Sequence, residues 1–124
     1  MATIDIAMKD LEGTLKDNKI VLIDFWAEWC GPCKQFGPIF EAASENHPEV
    51  CFAKCNTEVA TDLAASFQIS SIPTLAIFKE GIMVFKQPGM VPEEGLADLI
   101  KQVEALDMDM VRKEIEEQKA QENK

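Results

Sequence analysis

The sequence predicts an α/β domain in which a mixed five-stranded sheet is flanked by helices on both faces, ending in an extended C-terminal helix. Three observations carry this expectation. Ile20 to Ala27 is a nearly continuous apolar run, the pattern of a strand buried on both faces. Short runs of this kind alternate along the chain with stretches whose apolar residues recur at helical spacing. A chain of 124 residues, 47% of them hydrophobic, can build one core but is small for two domains.

The elements follow in order. Thr3 to Ile6 is a short first strand, and Met8, Leu11 and Leu15 give Ala7 to Asp17 one apolar helical stripe. Asn18 marks a turn into the buried strand Ile20 to Ala27. A helix is expected from about Cys33 to Asn46, with Pro38 inside it, where a missing amide donor should introduce a kink. Val50 to Asn56 is a third strand, Val59 to Phe67 a short helix and Thr74 to Phe78 a fourth strand. Gly81 turns the chain into a fifth strand, Ile82 to Lys86. Pro92 opens the last helix where a missing amide costs nothing, with Glu93 and Glu94 near the positive end of its dipole. Leu96, Leu99, Ile100, Val103, Leu106 and Met110 form one stripe, so this helix is expected to continue. Residues 1–106 are thus read as the domain and 107–124 as a charged helical extension. Beyond Val111 that extension has little to bury, and a solvated, frayed helix end is expected. The alternative is a protein or dimer contact through Met108, Met110, Val111 and Ile115.

Charge and hydropathy exclude other classes. The chain carries 22 acidic against 12 basic residues, a formal charge of -10, which argues against a nucleic-acid partner. No apolar run approaches the roughly 20 residues that a membrane span requires. Asp5, Asp10, Glu12 and Asp17 interrupt the N-terminal stretch, so a cytoplasmic protein is expected. A monomer is expected as well.

The chemistry is concentrated where the buried strand meets the next helix, at Trp29-Cys30-Gly31-Pro32-Cys33. Two intervening residues let the cysteines reach disulfide distance without straining the backbone. Cys30, at the helix N-terminus, has unpaired amides and the helix dipole to stabilise a thiolate, which makes it the nucleophile. Cys33, one turn in and expected to be less exposed, is the resolving thiol that attacks the mixed disulfide. Pro32 fixes the turn and withholds an amide from the thiolate, which keeps the pair reducing.

The segment Asp24-Phe25-Trp26-Ala27-Glu28-Trp29-Cys30-Gly31-Pro32-Cys33-Lys34 resembles the active site of bacterial members of the thioredoxin family. The likeness continues through Lys54-Cys55-Asn56, Ile72-Pro73-Thr74, Phe78-Lys79-Glu80-Gly81 and Gly89, over about residues 3 to 104. It implies that family's fold and a protein-disulfide reductase. Its partners would be disulfide-containing proteins and a thioredoxin reductase as electron donor. It also implies no cofactor and no metal, the working group being the Cys30–Cys33 disulfide itself. The rivals on the same fold are an oxidase or isomerase, which the Gly31-Pro32 dipeptide does not fit, and a redox-inert subunit that binds proteins through the same surface.

By resemblance, Asp24 is the buried acid that handles the proton of Cys33. On the residues alone, it could equally face water at a strand edge or serve a structural pair. Lys54, at the matching place on the neighbouring strand, is its candidate partner. The resemblance makes Ile72-Pro73 a cis bond in a loop against the disulfide, where the sequence by itself favours trans. It also makes Trp29, Gly31, Pro32, Ile72 and Gly89 a flat docking surface for an extended substrate segment. Trp26 is read as packing, and His47 as a surface or capping residue. Cys51 and Cys55 come close to a zinc-ribbon spacing with the first pair. On one strand, however, they would stand about 13 Å apart, against roughly 4 Å for two thiolates on one zinc. They are read as small buried hydrophobes.

Overall fold

The computed structural model describes residues 2–122. Five strands, β1 (Thr3–Asp5), β2 (Ile20–Trp26), β3 (Cys51–Asn56), β4 (Thr74–Lys79) and β5 (Ile82–Pro88), form one sheet in the order β1-β3-β2-β4-β5. The first three are parallel, whereas β4 runs antiparallel to β2, and β5 antiparallel to β4. The helices are α1 (Met8–Asp17), α2 (Gly31–Asn46), α3 (Thr61–Ser66), α4 (Glu93–Glu104) and α5 (Met108–Glu122).

β2 lies at the centre and buries both faces, which is why its sequence is a run rather than an alternation. Ile20 and Leu22 point to a core built with Phe36 and Phe40 of α2, Phe52 of β3 and Leu96 and Ile100 of α4. Val21, Ile23 and Phe25 point the other way, to a core closed by Leu63 of α3 and by Met8, Leu11 and Leu15 of α1. Asp24 shares the α2 face by strand alternation.

Most boundaries fall within one residue of the sequence expectation, and four differ by more, each for a local reason. α2 begins at Gly31 rather than Cys33, because Pro32 needs no donor in a first turn and Cys30 caps the helix. α3 starts only at Thr61, since the amides of Val59 and Ala60 are spent on the Asn56 carbonyl. β5 runs on to Pro88, which pairs with Thr74. The single extended last helix is two helices. Lys79 Nζ donates to the carbonyl oxygens of Val103, Glu104 and Leu106 at 2.7, 3.0 and 3.0 Å, ending α4. The Asp107 carboxylate then accepts from the amides of Asp109 and Met110, starting α5.

The root of the tail is packed, whereas beyond Val111 every described residue except Ile115 is exposed, in keeping with a solvated helix end. Met108 is buried, and Val111 and Ile115 border a shallow cavity with Ile82, Met83 and Val84 of β5. Arg112 pairs with Glu80, which sits with Gly81 in the two-residue β4–β5 turn. Both turn residues have positive φ, 51° and 78°, the geometry that fits a tight hairpin to twisted strands.

Candidate functional site

The end of β2 hands over to α2 at Cys30, which stands at the N-cap. Its sulfur takes the place of a capping oxygen and accepts from the Cys33 amide at 3.2 Å. Cys30 and Cys33 are joined as a disulfide, with Cα atoms 5.2 Å apart. Each residue is only 4% exposed, so exposure does not separate them as expected; their surroundings do. Cys30 opens on a cleft of about 410 Å³ with Trp29, Gly31, Pro32, Thr57, Ile69, Ser70, Ser71 and Ile72. Cys33 borders a smaller cavity on the other side, with Trp26, Lys34, Gly37, Pro38, Glu41 and Lys54.

The cleft's far wall is the loop before β4. The Ile72–Pro73 bond is cis, and the Ile72 carbonyl oxygen lies 3.6 Å from Cys30 Sγ. Gly89 is not a cleft-lining residue, but its amide donates to the Pro73 carbonyl at 2.8 Å, tying the end of β5 to this loop. Its φ of +100° suits glycine and is strained for a side-chain residue. Trp29, 71% exposed, projects from the rim. The structure thus brings Trp29, Gly31, Pro32 and Ile72 around Cys30, as expected, and adds Thr57 and Ile69 to Ser71. The latter escaped sequence reasoning because only the fold returns the β3–α3 turn and the α3–β4 loop to the end of β2.

Asp24 is fully buried on β2, and neither carboxylate oxygen has a hydrogen-bond partner among the described residues. Burial pushes its pKa from 3.8 up to about 7, with the positive charge of Lys54 pulling the other way. Lys54 is the residue opposite Asp24 in the β2–β3 register, yet it makes no direct ion pair with it. Its ammonium instead lies 5.0 Å from the centre of the Trp26 ring, a cation–π position. Trp26 is therefore packing with a second use, since it holds the lysine. Cys51 and Cys55 both fall in the α1–α3 core on β3. Burial, with Asp62 and Asp24 adding to it, raises Cys55 to about 11. His47 caps the end of α2 and lies 3.6 Å from Glu49.

Comparison with known proteins decides what this arrangement is. The thioredoxin sequence model matches residues 2–102. The chain belongs to the thioredoxin family. A Streptomyces coelicolor protein named "Putative thioredoxin 2" is 53% identical over 120 residues, 97% of this chain and 90% of that one. Mycoplasma pneumoniae thioredoxin is 40% identical over 82% of this chain and its own full length. In three dimensions a point-mutant thioredoxin from Halobacterium salinarum superposes with a TM-score of 0.78 at 31% identity, covering 85% of this chain and 92% of its own. Plasmodium falciparum thioredoxin gives 0.74 at 29% identity, over 81% and 97%. With the cysteine pair bonded at this position, thioredoxin membership makes the chain a thiol-disulfide oxidoreductase, a protein-disulfide reductase rather than a redox-inert binding subunit. Thioredoxins work through the cysteine pair, and among the described residues no group of three or more potential ligands could hold a metal ion.

Proposed function

We propose that Cys30 attacks the substrate disulfide and Cys33 resolves the mixed disulfide. The Cys30 thiolate displaces one substrate sulfur as a thiolate and bonds to the other. Cys33, once deprotonated, attacks Cys30 and releases the second substrate thiolate. The substrate gains two electrons and two protons, and the chain returns to the disulfide form. The observation that carries this order is Cys30 at the N-cap of α2, facing the open cleft, where the capping amide and the helix dipole stabilise a thiolate.

In this reading Asp24 takes the proton of Cys33. Its support is an unpartnered carboxyl poised near neutrality, on the sheet face that α2 covers. Lys54 holds that poise down against burial, and Trp26 holds Lys54. Trp29, Gly31, Pro32 and Ile72 receive an extended substrate segment, with the Ile72 carbonyl available as a strand-like acceptor beside Cys30. Pro73 and Gly89 fix the loop that offers it.

Regeneration falls to a thioredoxin reductase, and the working place is the cytoplasm, where unpaired thiols such as Cys51 and Cys55 persist. Residues 1–106 do the chemistry as a single chain. The described part of the extension, through Glu122, stays outside it, because α5 packs near Ile82, at the opposite end of β5 from Gly89.

The test is NADPH-coupled reduction of insulin disulfides with a thioredoxin reductase. The native chain should turn over, and both Cys30→Ser and Cys33→Ser should abolish turnover. With Cys30→Ser, no mixed disulfide should form, whereas Cys33→Ser should trap one through Cys30. Trapping through Cys33 in the Cys30→Ser variant would reverse the assignment.

A further inference from the structure

The loop from Phe67 to Pro73, the far wall of the cleft, reaches it by one sharp bend. Gln68 turns the chain out of α3 with a φ of 54°. Its amide donates to the Ala65 carbonyl at 3.0 Å and that of Ile69 to the Ala64 carbonyl at 3.1 Å, the pattern of a left-handed helix stop. Glycine is the usual residue in that conformation, because a Cβ is crowded there. A side-chain residue keeps it where the surroundings fix the bend. Beyond the bend the chain passes Ile69, Ser70, Ser71 and Ile72 along the cleft and brings the Ile72 carbonyl to 3.6 Å from Cys30 Sγ. A shift at Gln68 is therefore carried to the acceptor beside the nucleophile.

β5 supplies what fixes the bend. Lys86 lies opposite Ala76 in the β4–β5 register, and Ala76 belongs to the core on the α1–α3 face. Cross-strand partners share a face, so the Lys86 stem runs toward the end of α3. Its ammonium donates to the Phe67 carbonyl at 2.6 Å, one residue before the bend, in a charge-assisted bond. The Phe67 ring packs on Phe25 and Phe78, which fixes the residue, and the ammonium fixes the direction of its carbonyl. Further along β5 the Gly89 amide holds the Pro73 carbonyl at 2.8 Å. One strand thus grips both ends of the loop.

We infer that Lys86 is a positioning residue of the reductase: through the Phe67 carbonyl it sets where the Ile72 carbonyl meets an extended substrate segment. This deepens the reductase reading and rests on it. A polypeptide that pairs with the loop depends on that placement, whereas a small disulfide without a peptide backbone needs only Cys30. The two kinds of substrate therefore separate the placement of the loop from the chemistry of the thiol.

The chain is reduced beforehand, freed of reductant and mixed with either insulin or the neutral bis(2-hydroxyethyl) disulfide, and the second-order rates are compared. Lys86→Met, which keeps the stem and removes the donor, should slow insulin reduction about fivefold, a modest part of what a misplaced binding group can cost. The small disulfide should react at the native rate. Lys86→Arg keeps a charged donor and should restore most of the insulin rate. Lys113→Met on α5 removes the same charge and should change neither rate. Hydrogen exchange at the Gln68 and Ile69 amides should quicken in Lys86→Met while β4 stays protected. An unchanged insulin rate in Lys86→Met overturns the inference and leaves the reductase reading standing. So does an equal loss with both substrates, which would place the effect at the thiol, or an equal loss in Lys113→Met, which would assign it to total charge. A slower insulin rate without faster exchange at the bend overturns it too, by making Lys86 a direct substrate contact. A native chain that fails to reduce insulin removes the reductase reading and this inference with it.

Discussion

Two central strands each bury one ionisable side chain, and the two are treated in opposite ways. Asp24 on β2 is wholly buried with no hydrogen-bond partner among the described residues. Lys79 on β4 is 3% exposed and gives three hydrogen bonds to the carbonyls at the end of α4. A buried charge that is fully satisfied is a fastener: it fixes one helix end and the direction of the next. A buried carboxyl left without partners is costly in its charged form, which holds it near the pH at which it can take or give a proton. The first belongs to the fold and the second to the chemistry.

Neutralising Asp24 should break this contrast most. In the disulfide form its folded pKa of about 7 exceeds the unfolded value near 3.8, so the folded state holds the proton more tightly. Its relative stabilisation is complete below about pH 4 and is lost as pH rises through about 7. About three pH units at roughly 1.4 kcal/mol each put the cost of the ionised form on the order of 4 kcal/mol above neutrality. Asp24→Asn should therefore be more stable than the native chain by about that amount at pH 8, and close to it at pH 4. Urea unfolding at the two pH values checks this, and equal stability at pH 8 would mean that Asp24 has found partners. The same variant should slow disulfide exchange.

Lys79→Met keeps the apolar stem and removes the ammonium, leaving three carbonyls at the α4 end without their donor. A loss of about 2 to 3 kcal/mol is expected, since charge-assisted bonds contribute about 1.5 to 3 kcal/mol each and water will replace part of them. The rate of exchange per folded molecule should not change. If it falls, Lys79 is not merely a fastener.

How far each residue was legible follows from this difference. Asp24 could be read from sequence because it interrupts an apolar run, and the resemblance then supplied a role. Lys79 stands at the end of such a run, beside a turn, where a lysine reads as solvated. Only the return of α4 across the sheet shows its partners. The same long-range closure hid Thr57 and Ile69 to Ser71. The break between α4 and α5 was closer to legible, because Asp107 is a good capping residue, but the continuing stripe of Leu106 and Met110 outweighed it. Met108, named only in the alternative reading of the tail as a contact surface, is buried within the chain instead. β2 and β4, by contrast, were legible because burial on both faces writes itself directly into composition.

Lys54 sharpens the comparison from the Asp24 side. It lowers the Asp24 pKa without touching the carboxylate, so Lys54→Met should move that titration upward from about 7. Carbon-13 observation of the Asp24 carboxyl across pH reads this directly. An unmoved titration would mean that burial alone sets the value. The pH dependence of exchange should shift in the same direction, and stability above neutrality should fall, because the ionised acid then has no nearby cation.

The smallest effect is expected at the fastener's edge. Arg112 joins α5 to the β4–β5 turn through Glu80, but both side chains are well exposed, 45% and 34%. Such pairs contribute about 0 to 1 kcal/mol, and salt screens them. Arg112→Ala should therefore lower stability by less than about 1 kcal/mol, and hydrogen exchange should quicken in α5 while α4 stays protected. That outcome would separate the two attachments of the tail: Lys79 and Met108 hold its root, and Glu80 only steadies the helix that leaves it. Equal loosening of α4 would instead make the Glu80 pair part of the same fastener as Lys79, and the two ends of the sheet would differ less than their buried charges imply.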